Sequence, residues 1–222
     1  MKRWLHDNGL TLVLLALFLF AAVGQAIAGV GQYNEEQQEH QQSPVTLGDY
    51  VLTAHYWEAL SENWESEFLQ MAVYVILTAF LFQRGSSESK DPDKKQEVDE
   101  DPRDHRHDPD VPAPVRYGGL RLRAYEQSLS ITFVVLFLLS FLVHGISGTF
   151  EYNDQQAQHG APPVTVGQFM VSPTFWFQSF QNWQSEFFAV AAIVVLSIFL
   201  RQRGSPESKP VHAPHRKTGE TG

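Results

Sequence analysis

The stretch Asn63-Trp64-Glu65-Ser66-Glu67-Phe68 occurs twice in this chain in closely similar form. The second copy reads Asn182-Trp183-Gln184-Ser185-Glu186-Phe187 and lies 119 positions later. In both copies an aromatic-rich polar segment changes into a long apolar run. Each run leads into the string Gln-Arg-Gly-Ser-x-Glu-Ser-Lys, at residues 83–90 and 202–209. This recurrence predicts a duplicated unit that carries a carboxylate at the start of an apolar helix.

The composition excludes several classes of function. The 222 residues include no cysteine, which rules out disulfides, thiolate metal sites and thiol catalysis. The net charge of −9 argues against nucleic-acid binding, which needs a basic face. The sequence also lacks a glycine-rich phosphate loop and a Ser/His/Asp arrangement. We therefore expect no enzyme activity, no cofactor and no metal.

Two apolar segments, residues 10–30 and 129–149, are long enough to cross a membrane, because about 20 residues span the hydrocarbon core. The first segment also imitates a signal peptide, with Lys2 and Arg3 before an apolar core and Ala26 and Ala28 after it. The matching segment lies in the middle of the chain, where no signal peptide can be. This position favours two retained transmembrane helices.

The other two apolar segments, residues 68–82 and 187–200, are shorter. At 1.5 Å per residue they rise roughly 21–23 Å, less than the hydrocarbon thickness of about 30 Å. Each helix must therefore include about one more turn at its outer end. We place these spans at about 64–83 and 183–202, so that the extra turn contains Glu67 or Glu186.

The segments between the paired spans are patterned. Thr46 followed by Asp49 resembles a helix cap, and Ser172-Pro173 is typical of a helix start. We expect a polar extension of the first helix, a turn at Pro44, and then a short amphipathic helix in each copy. Tryptophans beside an apolar span favour the membrane interface. The recurring polar residues are Tyr33, Asn34, Gln37 and His40, with copies Tyr152, Asn153, Gln156 and His159, and the interfacial tryptophans are Trp57, Trp64, Trp176 and Trp183.

The distribution of positive charge predicts the orientation. All 16 lysines and arginines lie at residues 2–3, at 84–123 or from 201 onward, and none lies at 31–65 or 150–185. Short loops rich in Lys and Arg stay on the cytoplasmic side. Both termini and the linker are therefore predicted to be cytoplasmic, and both patterned loops external. Two crossings per copy give the copies the same orientation, as in parallel-repeat carriers.

The chain accordingly divides into four parts. Residues 1–90 and 123–209 form the two repeats. Residues 91–122 are a linker rich in Asp, Glu, Lys, His and Pro, and residues 210–222 are a polar tail. Such compositions predict disorder.

Glu67 and Glu186 are the first candidates for a functional role, because an ionisable group within a span is costly and usually faces protein or water. They could exchange protons, or they could only favour the positive end of the helix dipole in a first turn. Gln25 and His144 occupy equivalent positions near the outer ends of the first and third spans. They could bond the glutamates or a neighbouring helix.

The loop motif is the second candidate. Asn34 and Gln37 share a face at helical spacing, which suits packing of one loop on the other or the lining of a polar vestibule. His40 and His159 supply one imidazole per copy, which is too few for the ligand spacing of a metal site.

The chain resembles a family of small bacterial membrane proteins that is classed only as a domain of unknown function. The resemblance rests on the opening Met-Lys-Arg-Trp-Leu-x-Asp-Asn-Gly-Leu, on the Tyr-Asn-Glu-Glu-Gln run at residues 33–37, and on the strings at 63–71 and 83–90. It covers both repeats. It implies a membrane location and brings no activity, substrate or cofactor.

The predicted fold class is an all-α membrane protein with four transmembrane helices in two parallel two-helix repeats, plus short interfacial helices in the external loops. The predicted location is the bacterial inner membrane. We expect a non-enzymatic structural or interaction module whose partners are the bilayer and a homo-oligomer or another membrane protein. The alternative is a small transporter or channel subunit that uses one membrane-boundary glutamate per repeat.

Overall fold

The computed structural model describes residues 2–219, and these residues are 67% helical and contain no strand. Four helices are long and five are short. The helices are α1 (Lys2–Asp7), α2 (Gly9–Glu39), α3 (Leu47–Tyr50), α4 (Ala54–Phe80), α5 (Ala113–Tyr117), α6 (Gly119–Glu126), α7 (Ser128–Gln158), α8 (Val166–Met170) and α9 (Pro173–Phe199), with a 3-10 turn at Glu97–Asp99. The all-helical prediction is confirmed.

Within this described part of the chain, α2, α7 and α9 are long and apolar enough to cross a membrane. They contain 31, 31 and 27 residues. At 1.5 Å per residue they measure about 46, 46 and 40 Å, which exceeds the hydrocarbon thickness. Most of their large apolar side chains are exposed, including Leu10, Phe20 and Leu129. In water this surface would be unfavourable, and a bilayer would cover it.

The helix that contains the predicted second span, at about 64–83, has other bounds than predicted. α4 begins at Ala54 and ends at Phe80, and it is not among the three apolar candidates. The physical reason lies in its first half, which carries Glu58, Glu62, Glu65 and Glu67. The structure therefore gives three helices that could span a membrane. A fourth span stays a prediction.

Both helices α4 and α9 end before the predicted limits because the Gln-Arg-Gly-Ser string forms a turn. The amide of Gln83 donates to Ser89 Oγ over 2.8 Å, and the amide of Gln202 donates to Ser208 Oγ over 2.8 Å. Gly85 has a φ of 91° in this turn, a conformation that favours glycine.

The short amphipathic helix that we expected to carry Tyr50, Tyr56, Trp57 and Trp64 is shorter than predicted. α3 ends at Tyr50, and Tyr56, Trp57 and Trp64 belong to α4. The predicted caps are confirmed. Thr46 Oγ1 accepts a hydrogen bond from the amide of Asp49 over 3.2 Å. Ser172, which directly precedes α9, accepts a hydrogen bond at Oγ from the amide of Phe175 in the first turn of that helix.

Corresponding helices of the two copies agree in length. α2 and α7 both have 31 residues, and α4 and α9 both have 27. Their first residues are 119 positions apart, which is also the spacing of the repeated strings.

The linker carries local structure. The 3-10 turn and α5 lie within it, and Lys90 pairs with Asp99 over 2.5 Å at its start. The disorder of residues 91–122 and of the tail stays a prediction, and residues 220–222 of that tail lie outside the described residues.

The residues group into two compact units. The first unit comprises Met1–Ser61 and Val143–Phe175, and the second comprises Glu62–Leu142 and Trp176–Gly222. Each unit contains one group of the predicted site residues.

Candidate functional site

In the second unit, the two copies of the Asn-Trp-x-Ser-Glu-Phe motif contact each other. The indole N–H of Trp183 donates to Glu65 Oε1 over 2.9 Å. Asn182 Nδ2 donates to Glu62 Oε1 over 2.6 Å. One turn further along α4, Gln70 Nε2 donates to the backbone carbonyl of Glu186 over 2.9 Å. Helices α4 and α9 are therefore joined by a row of three hydrogen bonds.

Glu65 is the buried carboxylate of this motif. Its side chain is 0% exposed, whereas Glu67 is exposed and Glu186 is half-buried. Burial of a carboxylate is costly unless donors satisfy it, and the Trp183 indole supplies one. The sequence pointed to Glu67 instead, because it recurs in both copies and lies in the extra turn of the predicted span. Helical spacing could have found Glu65, which shares a face with Glu62 three positions earlier.

Aromatic rings hold Trp183 in place. Its ring centroid lies 5.4 Å from that of Phe180, 6.1 Å from that of Trp176 and 6.2 Å from that of Phe137 on α7. Aromatic pairs at such separations are stabilising. The indole that reaches Glu65 is thus positioned by packing within its own unit.

In the first unit, the recurring asparagines fasten the loops. Asn34 Nδ2 donates to the carbonyl of Val45 over 2.9 Å, and the amide of Val45 donates to Asn34 Oδ1 over 2.7 Å. Asn153 and Val164 make the same two bonds with the same lengths. Both patterned loops are therefore clipped back onto the helix that precedes them.

A cluster of rings surrounds Tyr50, which is 2% exposed. Its hydroxyl lies 3.1 Å from His55 Nδ1, and its ring centroid lies 5.6 Å from those of Tyr33 and Tyr56. Gly29 makes this approach possible, because a Cβ there would collide with the Tyr50 hydroxyl.

The second copy builds the same cluster from apolar rings. Phe169 replaces Tyr50, and its centroid lies 5.5 Å from that of Tyr152 and 5.7 Å from that of Phe175. His144 is fully buried and stacks on Phe175 with a centroid distance of 4.7 Å. Gln25, its counterpart, is half-buried. Hydrogen bonds from Gln25 and His144 to the glutamates stay predictions.

Glu151 is a buried carboxylate that the sequence reasoning missed. It accepts a hydrogen bond from Gln155 Nε2 over 3.1 Å and lies within electrostatic range of His55. Its counterpart in the first copy is Gln32, so the repeat gave no signal for it. Gln37, which the motif did single out, is buried beside Tyr33.

The ring centroids of His40 and His159 lie 6.1 Å apart, and both side chains are exposed. Gln156 is half-buried, and its carbonyl accepts the amides of His159 and Ala161. Over residues 2–219, no group of three or more His, Asp or Glu side chains is placed to hold a metal ion.

Comparison with protein families identifies the chain. The family described as Domain of unknown function (DUF6766) matches residues 1–220. The chain belongs to the DUF6766 family. Comparisons with curated proteins and with solved structures gave no match. The resemblance to an uncharacterised family is thus confirmed, and the DUF6766 description names no activity.

In this DUF6766 chain a buried lysine binds backbone carbonyls of the tail. Lys209 is 1% exposed, and its ammonium donates to the carbonyls of Gly85, His215 and Lys217. Thr218 Oγ1 accepts the amide of Gly85 over 2.8 Å. The tail is thereby bound to the Gln-Arg-Gly-Ser turn of the first copy.

Proposed function

We propose that this DUF6766 chain is a four-span protein of the bacterial inner membrane that acts as a non-enzymatic interaction module. Both termini and the linker are placed in the cytoplasm. The three apolar helices support the membrane location. The absence of Lys and Arg from residues 31–65 and 150–185 supports the orientation.

In this proposal α4 is the fourth span. Its glutamates are the obstacle, because charged groups within a span are costly unless they are paired or face protein. Glu62 and Glu65 accept hydrogen bonds from Asn182 and Trp183, which lowers that cost. The equal lengths of α4 and α9 also support an organisation of the chain in two two-helix repeats.

The observation that carries the interaction role is an apolar groove in the first unit. The corner between α3 and α4 and the face of α7 enclose about 440 Å³. Leu52 is 79% exposed at its rim, and Trp57 and Phe150 are also exposed. Ala54 and Ser147 are small, which allows a partner helix to approach closely.

The proposed occupant of this groove is a second copy of the chain. A two-fold dimer brings the same patch of both protomers together, so one apolar groove can serve as both halves of the interface. The clipped loops at Asn34 and Asn153 favour this role, because a rigid surface loses less conformational entropy on binding.

Cysteine cross-linking tests the proposal, since the chain has no cysteine of its own. Leu52→Cys and Phe150→Cys should give a disulfide-linked dimer on mild oxidation in native membranes. Val171→Cys is the matched control, because Val171 is the counterpart of Leu52 and is 77% exposed. Equal cross-linking at all three positions, or none at Leu52 and Phe150, would contradict the dimer. A photo-cross-linker at Leu52 that captured only another membrane protein would replace the second copy by that partner.

Transport is a second candidate because several carboxylates gather where α4 meets α9. Glu67 lies within electrostatic range of Glu186, and Glu65 is buried beside Trp183. The test uses liposomes loaded with a pH-sensitive dye and compares the parent with Glu67→Gln/Glu186→Gln and with Glu65→Gln. Proton flux that no substitution changes would exclude transport through these groups.

A further inference from the structure

A second and larger groove lies in the second unit, between the last turns of α4 and the first turns of α7. Its volume is about 1470 Å³. Small-molecule pockets are usually smaller, at roughly 300–1,000 Å³. The walls are apolar and include Val75, Ile76 and Ala79 from α4 and Leu129, Val134 and Val135 from α7.

Both walls become polar at the same end of the groove. α4 ends at Phe80 and is followed by the turn that contains Glu88 and Lys90. α7 begins at Ser128 and is preceded by Glu126. The groove therefore has an apolar body and a polar mouth. An amphiphile with a long apolar part and one polar head has this same division.

The mouth is acidic. Its charged residues are Glu88, Lys90, Glu97, Asp99 and Glu126. The single lysine among them lies 2.5 Å from Asp99, so its charge is locally balanced. Glu88 accepts the hydroxyl of Tyr74 over 2.6 Å at one oxygen and the hydroxyl of Ser87 over 3.3 Å at the other. Carboxylates attract a cationic head and repel an anionic one.

We propose that this groove binds one phospholipid whose headgroup is a primary ammonium, as in phosphatidylethanolamine. Its acyl chains lie along Val75, Ile76 and Val135. Its ammonium donates to the carboxylates of Glu97 and Glu126, since an ammonium has three N–H donors. A choline head has the same charge but no N–H donor, and a glycerol head lacks the cation. This inference rests on the proposed membrane location.

The end of α9, which corresponds to the end of α4, has different surroundings. Ala79 and Phe80 at the end of α4 correspond to Ile198 and Phe199 at the end of α9. His215 of the tail covers that end, with its Nδ1 3.1 Å from the carbonyl of Ile198 and its ring centroid 5.7 Å from that of Phe199. The tail thus packs on the end of α9, whereas the corresponding end of α4 lines the groove.

Native mass spectrometry of the full chain in detergent tests this proposal. Phosphatidylethanolamine, phosphatidylcholine and phosphatidylglycerol with identical acyl chains are offered at equal concentration. We expect one retained phosphatidylethanolamine, with about tenfold lower retention of the other two lipids, because the choline head has no N–H donor and the glycerol head carries no cation to pair with the carboxylates. Equal retention of all three lipids, or a preference for phosphatidylglycerol, would overturn the proposal.

Variants separate the head from the acyl chains. Glu97→Gln/Glu126→Gln should reduce the headgroup preference several-fold while acyl binding persists. Val135→Trp, at an exposed position on the wall, should abolish the retained lipid while circular dichroism stays that of the parent. Asp7→Asn is the matched control, since Asp7 is the exposed counterpart of Glu126, and should change neither. Retention that Val135→Trp leaves unchanged would place the lipid elsewhere and contradict the groove.

The proposed membrane location is checked separately by alkaline carbonate extraction of cell membranes. A chain that is extracted as a soluble protein would refute the proposed function. A chain that stays in the membrane fraction but retains no lipid selectively would refute only the groove.

Discussion

The indole N–H of Trp183 donates to the buried carboxylate of Glu65 over 2.9 Å, and this bond links α9 to α4. The two residues come from the two copies of one sequence motif. A carboxylate that is fully enclosed by protein requires donors, so the tryptophan has a polar as well as an apolar role.

Loss of that donor should weaken the fold. Trp183→Phe keeps most of the aromatic packing but removes the N–H, and we expect a loss of about 1.5–3 kcal/mol in the free energy of unfolding, the usual contribution of a hydrogen bond to a charged group. Denaturant titration in detergent micelles, followed by circular dichroism, measures it. Trp64→Phe is the control in the first copy, where the side chain is 37% exposed, and it should cost less. An equal cost for both variants would show that the Glu65 bond has no special weight.

The Asn34 clip can be tested at the loop it holds. Asn34→Ala removes both bonds to Val45, each worth roughly 0.5–1.5 kcal/mol. The Val45 amide should then exchange with deuterium faster by at least about tenfold, because its acceptor is lost. Gln42→Ala is the control, because Gln42 is exposed and it is its backbone amide that donates to the carbonyl of Gln37. This variant should leave the exchange of the Val45 amide unchanged. Unaltered exchange in Asn34→Ala would contradict the clip.

The buried ammonium of Lys209 predicts a protected tail. Lys209→Met removes its hydrogen bonds to the carbonyls of Gly85, His215 and Lys217. Trypsin should then cut after Arg216 and Lys217 markedly faster than in the parent, while the helices stay intact. Lys90→Met, the counterpart that pairs with Asp99 instead, should leave tail cleavage as it is. Rapid tail cleavage in the parent itself would mean that the tail is disordered, as its composition predicts.

The pKa of His105 shows whether the linker is folded. Asp108 and Glu100 accept hydrogen bonds from the imidazole and raise the pKa of His105 above its ordinary value of about 6.5. The pKa of His105 is higher in the folded linker than in the unfolded chain. The protonated imidazole therefore stabilises the linker fully at pH values below the unfolded-state pKa, and this stabilisation is lost as the pH rises through the folded-state pKa. An NMR titration should detect the raised pKa, and Asp108→Asn should lower it, whereas Asp104→Asn should have little effect. A titration identical to that of an unfolded peptide would support a disordered linker.

Local patterns predicted much of this structure. The apolar runs located α2 and α7, because their membrane-length hydrophobicity is a property of consecutive residues. The caps at Thr46 and Ser172 were also readable, since a cap depends on residues three positions apart. Asn34 was one of the recurring polar residues, although its bonds to Val45 were not predicted.

The features that the sequence did not indicate depend on partners far away in sequence. Glu65 is buried instead of Glu67 because the face of α4 that meets α9 is decided by tertiary packing. No local pattern marked Lys209 as buried, and its burial depends on the convergence of backbone carbonyls from Gly85 and the tail. Glu151 has no counterpart carboxylate in the first copy, so comparison of the copies passed over it.

The central claim is that α4 crosses the membrane, so that the first patterned loop and the linker lie on opposite sides. Labelling of single cysteines with a membrane-impermeant maleimide in spheroplasts tests it most directly, at Gln38→Cys in the extension of α2 and at Asp104→Cys in the linker. We expect labelling of Gln38→Cys in intact spheroplasts, and of Asp104→Cys only after lysis. Labelling of both variants from the same side would contradict it and leave a protein with three spans.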